Sequence, residues 1–261
     1  MIPVHASLMN AVTDFDAVFF DVWGVLHDGR APWPDALKAT GQVLDSGRAI
    51  VLVTNAPYPG TRVAQTMARM GFDTERFAGV VSAGDVAVAE VRECARRVGG
   101  RVWLMGAPHN RAWVEACGVR VVNPREADFI VLTDAGASSP ELAFARERGL
   151  EMVCANPDLA VVSQTGVLKV CAGAVASDYG AMGGVVRTAG KPHAPIFERA
   201  RTLLPVGSTP VMLGDSLTTD VLGAQRAGLP AIWLCRDNAI DPHAWLARAA
   251  LSPAAVLRSL A

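Results

Sequence analysis

The chain has 261 residues, 51% hydrophobic and 19% charged, with a formal net charge of -1. That is enough material for a substantial core in one large domain or two ordinary ones. The near-neutral balance, with no basic block, gives nucleic acid no electrostatic foothold. No run of 18 apolar residues occurs, and MIPVHASLMNAV lacks a cationic segment leading into a long apolar one. The expectation is a cytoplasmic protein with no membrane partner.

In chain order, the apolar run Val18–Phe20 predicts a buried strand that delivers Asp21 into a turn at Gly24. Trp33-Pro34-Asp35 can open a helix that Gly47 stops. The strand Ala49–Val53 then leads to Thr54-Asn55, followed by a helix over about 61–70. Ser82-Ala83-Gly84-Asp85 resembles a capping box that starts a helix running to about Arg97. The alternation continues through VWLMG, a helix around 110–117, DFIVLTD, a helix around 140–148 and EMVCANPD. Segments 160–163 and 167–171 flank Gln164-Thr165-Gly166 and read as a hairpin. From Gly190 the first style resumes, with a helix over 192–204, the strand Val211–Leu213, a helix over 218–227, the strand AIWL and terminal helices. Alternating strands and helices with short β-rich runs predict an α/β fold built on parallel sheets. The five cysteines are scattered without a C-x-x-C pair, so they are expected to be buried hydrophobes rather than disulfides or zinc ligands.

Four polar clusters adjoin these strands: Asp21, Thr54-Asn55, Lys191 in AGKPH and Asp215 in VMLGDSLTTD. Ligands of open parallel sheets bind beyond the carboxyl ends of the strands, so three of these clusters should converge on one crevice. Asp21 and Asp215, from different strands, form the hard oxygen environment that Mg²⁺ prefers. Thr54-Asn55 and Lys191 add donors and positive charge suited to a phosphate.

FFDVWGV, LVTNAP, AGKPH and LGDSLTTD, in that order, resemble the four motifs of the haloacid dehalogenase superfamily, specifically its subfamily IIA of sugar and nucleotide phosphatases. The resemblance implies a Rossmann-like core over 1–97 and 187–261, with an inserted α/β cap of the C2 type over 98–186. It implies that Asp21 is a nucleophile forming an aspartyl-phosphate, that Thr54 binds the phosphoryl group, and that Lys191 holds both. Mg²⁺ would be held by Asp21, Asp215 and the backbone carbonyl of Trp23, with Asp220 in the metal's surroundings or orienting its neighbours. Asn55, Trp23, Asn156, Asp158 and Gly173 are candidate substrate contacts, with turn or helix-start roles equally open for the last three. The implied partner is a small phosphorylated metabolite such as a sugar phosphate or nucleotide. A homodimer is expected by analogy with caps of this branch.

The sequence departs from the family pattern at one position. Phosphatases of this superfamily carry a second aspartate two residues after the nucleophile, as general acid and base, and here Trp23 stands there. An indole does not exchange a proton near neutral pH, and losing a general acid-base costs roughly 10²–10⁴-fold in rate. His27 and Asp28 are neighbouring candidates to replace it, weighed against simple loop roles. His193 is given no proton-transfer role. The readings are a phosphatase, a phosphometabolite-binding protein on the same scaffold, or a phosphotransferase.

Overall fold

The computed structural model describes residues 2–261. A short strand β1 (Val4–His5) and a helical turn α1 (Leu8–Ala11) precede β2 (Ala17–Phe20), the strand that leads into Asp21. Then follow α2 (Ala36–Asp45), β3 (Ala49–Thr54), α3 (Gly60–Arg69), β4 (Gly79–Ser82) and α4 (Ala83–Val98). The middle of the chain forms β5 (Arg101–Met105), α5 (Arg111–Glu115), β6 (Arg120–Val121), β7 (Phe129–Leu132), α6 (Ser139–Glu147) and β8 (Glu151–Cys154). It continues through the hairpin strands β9 (Ala160–Val162) and β10 (Leu168–Val170), then α7 (Ala172–Ala181) and β11 (Val186–Thr188). The last part contributes α8 (Ala194–Arg201), β12 (Pro210–Gly214), α9 (Leu222–Arg226), β13 (Ala231–Leu234), α10 (Pro242–Ala249) and β14 (Ala255–Leu257).

The first sheet has the order β1-β14-β13-β12-β2-β3-β4, and every neighbouring pair is parallel. Its strands are apolar on both faces because both are covered. Val18 and Phe20 enter one core with Ile50, Leu52 and Leu213, while Phe19 enters the other with Val51, Val53 and Met212. In this order β2 lies between β12 and β3, with Leu213 opposite Phe20 and Phe20 opposite Leu52. The carboxyl ends of these three strands therefore emerge side by side, carrying Asp215, Asp21 and Thr54.

A second parallel sheet has the order β11-β8-β7-β5-β6, and β9 and β10 form a separate antiparallel pair. The predicted hairpin is present, with Val162 opposite Leu168. β11 straddles the 186/187 junction drawn from the sequence and pairs with β8 inside the second sheet. Helix α4, which leaves the first sheet, packs Ala87, Val91 and Cys94 against Phe129, Val131 and Val153 of the second. Arg97 and Arg187 both pair with Glu151, and Arg187 also reaches Glu90 of α4 at 3.4 Å.

Two expectations need correction. The C-terminal segment is not all helix: α10 is followed by β14, which pairs with β13 and β1. An alanine-rich stretch favours helix by propensity, but Pro253 interrupts it, and Ala255–Leu257 completes the sheet as a run too short to show a period. The helix predicted over 218–227 opens instead with a π-helical turn over Leu217–Val221 before α9. Among the described residues no helix is long and apolar enough to cross a membrane.

The predicted capping box is formed at the start of α4. Ser82 Oγ accepts from the Asp85 amide at 3.0 Å, and Asp85 Oδ2 accepts from the Ser82 amide at 2.9 Å. Because α4 bridges the two sheets, its first turn matters to both. Ser82→Ala is expected to lower stability by about 1–2 kcal/mol, read as a shift of the midpoint in chemical denaturation; an unchanged midpoint would show that the box contributes nothing.

Candidate active site

Asp21 is pinned at the end of β2 by its amide, which donates to the Leu213 carbonyl at 2.9 Å. Gly24 follows with a φ of 84°, and a Cβ there would lie 2.1 Å from Asp215 Oδ2. Only glycine lets the turn pass so close to that carboxylate. Lys191, 1% exposed, lies beneath: its Nζ donates to Asp21 Oδ1 at 2.6 Å and to Asp220 Oδ1 at 2.7 Å. Asp220 Oδ2 accepts in turn from the Ser216 amide at 3.0 Å, so both its oxygens are committed to holding the lysine and the turn. At Gly214 a Cβ would sit 2.1 Å from the Asp220 carboxyl carbon.

The charges in this cluster are strongly interdependent. Burial works against the Lys191 ammonium, but Asp21, Asp220 and Asp158 outweigh it and keep the amine protonated to higher pH than an ordinary lysine. Burial raises Asp220 to about 6, with Lys191 opposing the rise. Burial likewise raises Asp21, again against Lys191. Asp215 is the solvent-open member, yet its carboxyl is pushed well up by the low-dielectric crevice and then by Asp21 and Asp220. Oxygens of Asp21, Asp215 and Asp220 lie within 4.8 Å of one another. One ammonium among three carboxylates leaves excess negative charge on an oxygen-only donor set, which fits a hard divalent cation such as Mg²⁺.

Thr54 is buried at the end of β3, and its hydroxyl accepts from the Ala56 amide at 3.3 Å. Asn55 joins the two halves of the molecule. Its Oδ1 accepts from the Lys191 amide at 2.8 Å, while its Nδ2 donates to the Lys191 carbonyl at 3.2 Å and to Asp158 Oδ1 at 2.8 Å. Asn156 Oδ1 accepts from the Asp158 amide at 3.1 Å, closing the turn after β8. A cavity of about 240 Å³ opens over this floor, lined by Trp23, Thr54 and Asn55 on one side and by Asn156, Asp158 and Lys169 on the other. Gly173 is not among its walls: a Cβ there would lie 2.2 Å from the Pro157 carbonyl, so it lets α7 pack behind the Asn156–Asp158 turn.

Trp23 reaches across to the hairpin. Its indole Nε1 donates to the Val162 carbonyl at 3.0 Å, and Lys169 Nζ lies 6.0 Å from the ring. The hairpin tip is held as well, since the Gln164 amide donates to Asp28 Oδ2 at 3.2 Å and Gln164 Nε2 donates to the Ala31 carbonyl at 3.2 Å. His27 and Asp28 serve this loop. His27 Nδ1 accepts from the Gly29 amide at 2.7 Å, and burial keeps the ring neutral by lowering its pKa. Asp28 accepts from the amides of Ala31 and Arg30, which hold its pKa down. His193 occupies the position just before α8.

Several cavity residues were not singled out from the sequence: Tyr58, Arg62, His109, Thr133 and Asp134. Arg62 stacks over Tyr58 with its Cζ 4.7 Å from the ring. Thr133-Asp134 follows the apolar run Phe129–Leu132, the same polar-pair-after-strand signal that marked Thr54-Asn55. Nothing in the sequence alone aims Arg62 or Lys169 at the cavity.

With this geometry in view, the comparisons decide the family. The haloacid dehalogenase-like hydrolase model matches residues 18–120, and a HAD-hydrolase-like model matches residues 188–261. The crystal structure of a haloacid dehalogenase-like hydrolase from Brucella suis 1330 superposes with a TM-score of 0.85 at 30% identity, covering 99% of this chain and 100% of that one. The chain belongs to the haloacid dehalogenase-like family. Other relatives agree with the branch read from the motifs. D-glycerol 3-phosphate phosphatase of Mycobacterium tuberculosis is 29% identical over 231 residues, covering 86% of this chain, which spans 64% of that protein's length. Ribonucleotide monophosphatase NagD of Escherichia coli K12 is 26% identical over 234 residues, covering 87% of each chain. The glycerol phosphate phosphatase from M. tuberculosis has been solved in complex with magnesium, and that structure superposes with a TM-score of 0.67.

Trp23→Phe keeps a ring beside Gly29 and removes the indole donor. One lost hydrogen bond is worth about 1 kcal/mol, so amide exchange across 160–170 is expected to speed up about fivefold. Unchanged exchange, measured by mass spectrometry, would show that the indole does not hold the hairpin.

Proposed function

We propose that the chain is a Mg²⁺-dependent phosphatase of a small phosphorylated metabolite, working through an aspartyl-phosphate on Asp21. The observation that carries this reading is the buried Lys191 ammonium bonded to both Asp21 and Asp220 at the carboxyl edge of the first sheet. In this reading the lysine holds Asp21 ionised and aimed, and its positive charge offsets the incoming phosphoryl oxygens. The Thr54 hydroxyl and the Asn55 backbone amide supply donors to the same group. Asp21, Asp215 and the Trp23 carbonyl would hold Mg²⁺, which when bound would further neutralise the phosphoryl charge. The phosphate monoesters named for the M. tuberculosis and E. coli relatives support this substrate class.

Trp23 favours a second reading, transfer of the phosphoryl group to an acceptor other than water, because its indole proton is engaged by Val162 and serves no acid role. One experiment separates the two. Phosphate release from a panel of monoesters is measured for wild type and Asp21→Asn, with Mg²⁺ and with chelator. Hydrolysis predicts release that falls more than about 10³-fold in Asp21→Asn and that stops on chelation. Release that survives in Asp21→Asn refutes the nucleophile. A stable phosphoprotein without release supports transfer.

A further inference from the structure

If this chain is a phosphatase, it lacks the proton carrier that its family keeps two residues after the nucleophile, and the structure offers few substitutes. His27 has its Nδ1 committed to Gly29 and its ring edge-on to Trp23 at 6.0 Å. Asp134, on the loop after β7, takes both its bonds on Oδ2, from the Ala107 amide at 2.8 Å and the Thr133 hydroxyl at 3.1 Å, and among the described residues it has no bond to Asn55, Lys191 or Asp21. His109 is solvent-exposed on the loop after β5. Burial pushes the Tyr58 phenol and the Cys171 thiol above their ordinary values, away from neutral proton exchange.

One carboxyl group is placed differently. Asp158 enters from the turn after β8 and is held by Asn55, whose orientation is set because its oxygen accepts from the Lys191 amide. Asp158 is thus one residue removed from the lysine that grips Asp21. Its Oδ1 takes the Asn55 bond, its Oδ2 accepts no hydrogen bond among the described residues, and the residue lines the cavity. We propose that Asp158, on the cap side of the crevice, is the proton carrier of the reaction, standing in for the aspartate that Trp23 replaces.

The proposal rests on the phosphatase reading. An Asp21 oxygen attacks phosphorus as the ester P–O bond breaks, and protonated Asp158 gives its proton to the departing alkoxide. Water then attacks the aspartyl-phosphate, its proton passes to the Asp158 carboxylate, and the P–O bond to Asp21 breaks. Phosphate leaves, and both aspartates return to their starting states. The charged neighbours are compatible with this cycle. Burial raises Asp158 above an ordinary carboxyl, Lys191 and the Asn55 bond oppose the rise, and Asp220 adds to it. Asp21 feels the Asp158 charge in return, as do the thiols of Cys154 and Cys171.

Asp158→Asn is the decisive variant, because an asparagine oxygen can still accept from Asn55 and preserve the anchor. Two esters are compared with Mg²⁺ present: an alkyl phosphate such as glycerol phosphate, whose alkoxide needs a proton, and 4-nitrophenyl phosphate, whose phenolate does not. The variant is expected to lose about 10²-fold or more in kcat on the alkyl ester and far less on the nitrophenyl ester. The wild type should lose alkyl-ester activity as pH rises through the raised Asp158 value, and the variant should lack that limb. Equal losses on both esters, or full alkyl-ester activity in the variant, would overturn the assignment. If the wild type hydrolyses neither ester, the phosphatase reading falls and this assignment with it; if the wild type is active and the variant matches it, only this assignment falls.

Discussion

The arrangement depends on one buried ammonium. Lys191 carries a full charge at 1% exposure, a position that is strongly unfavourable without partners. Asp21 supplies one partner from the end of β2 and Asp220 the other from the helical turn after β12, and the lysine arrives from a third segment, the loop after β11. Three distant stretches of chain therefore meet only when both sheets are formed. Removing any one of the three charges would strand the others in a low-dielectric crevice. The demands on the surrounding backbone follow directly: Gly24 and Gly214 leave room for Asp215 and Asp220 that no side chain at those positions would allow.

Much of this was legible in the sequence because the chemistry is tied to strand ends. Asp21, Thr54 and Asp215 each follow an uninterrupted apolar run, and an open parallel sheet brings such ends together whatever the details of packing. The hairpin and the Ser82 capping box were equally readable, being local patterns with short-range causes. The strand Ala255–Leu257 was not, since three residues carry no period and their place between β1 and β13 is decided by pairing with distant segments. Arg62 and Lys169 were hidden for a related reason. Their roles come from where α3 and the hairpin sit relative to the first sheet, and nothing local encodes that.

The second sheet is attached to the site by more than the chain passing through it. Asn55 binds the Lys191 backbone on one side and Asp158 on the other, so the floor of the crevice and its cap share one amide. Trp23 and Asp28 bind the hairpin independently at Val162 and Gln164. Gly190 and Gly173 allow these contacts by leaving space beside Asn55 and Pro157. Any opening of the cap has to break Asn55–Asp158 and the hairpin bonds, which ties access to the cavity to the geometry of the phosphoryl-binding groups.

Trp23 is then understandable as a strut between its own loop and the hairpin. A short carboxylate at that position would be free to move protons but would reach nothing on the hairpin. The indole is long enough to donate to Val162, and its bulk requires Gly29 behind it, where a Cβ would approach the ring to 2.4 Å. The loop from Trp23 to Pro32 is ordered around this contact, with His27 accepting from Gly29, and Asp28 accepting from Arg30 and Ala31 within the loop and from Gln164 on the hairpin. Proton transfer, if the chain hydrolyses phosphate, must therefore come from outside that loop. The cap side is the remaining direction, and the carboxyl group it holds beside Asn55 is Asp158.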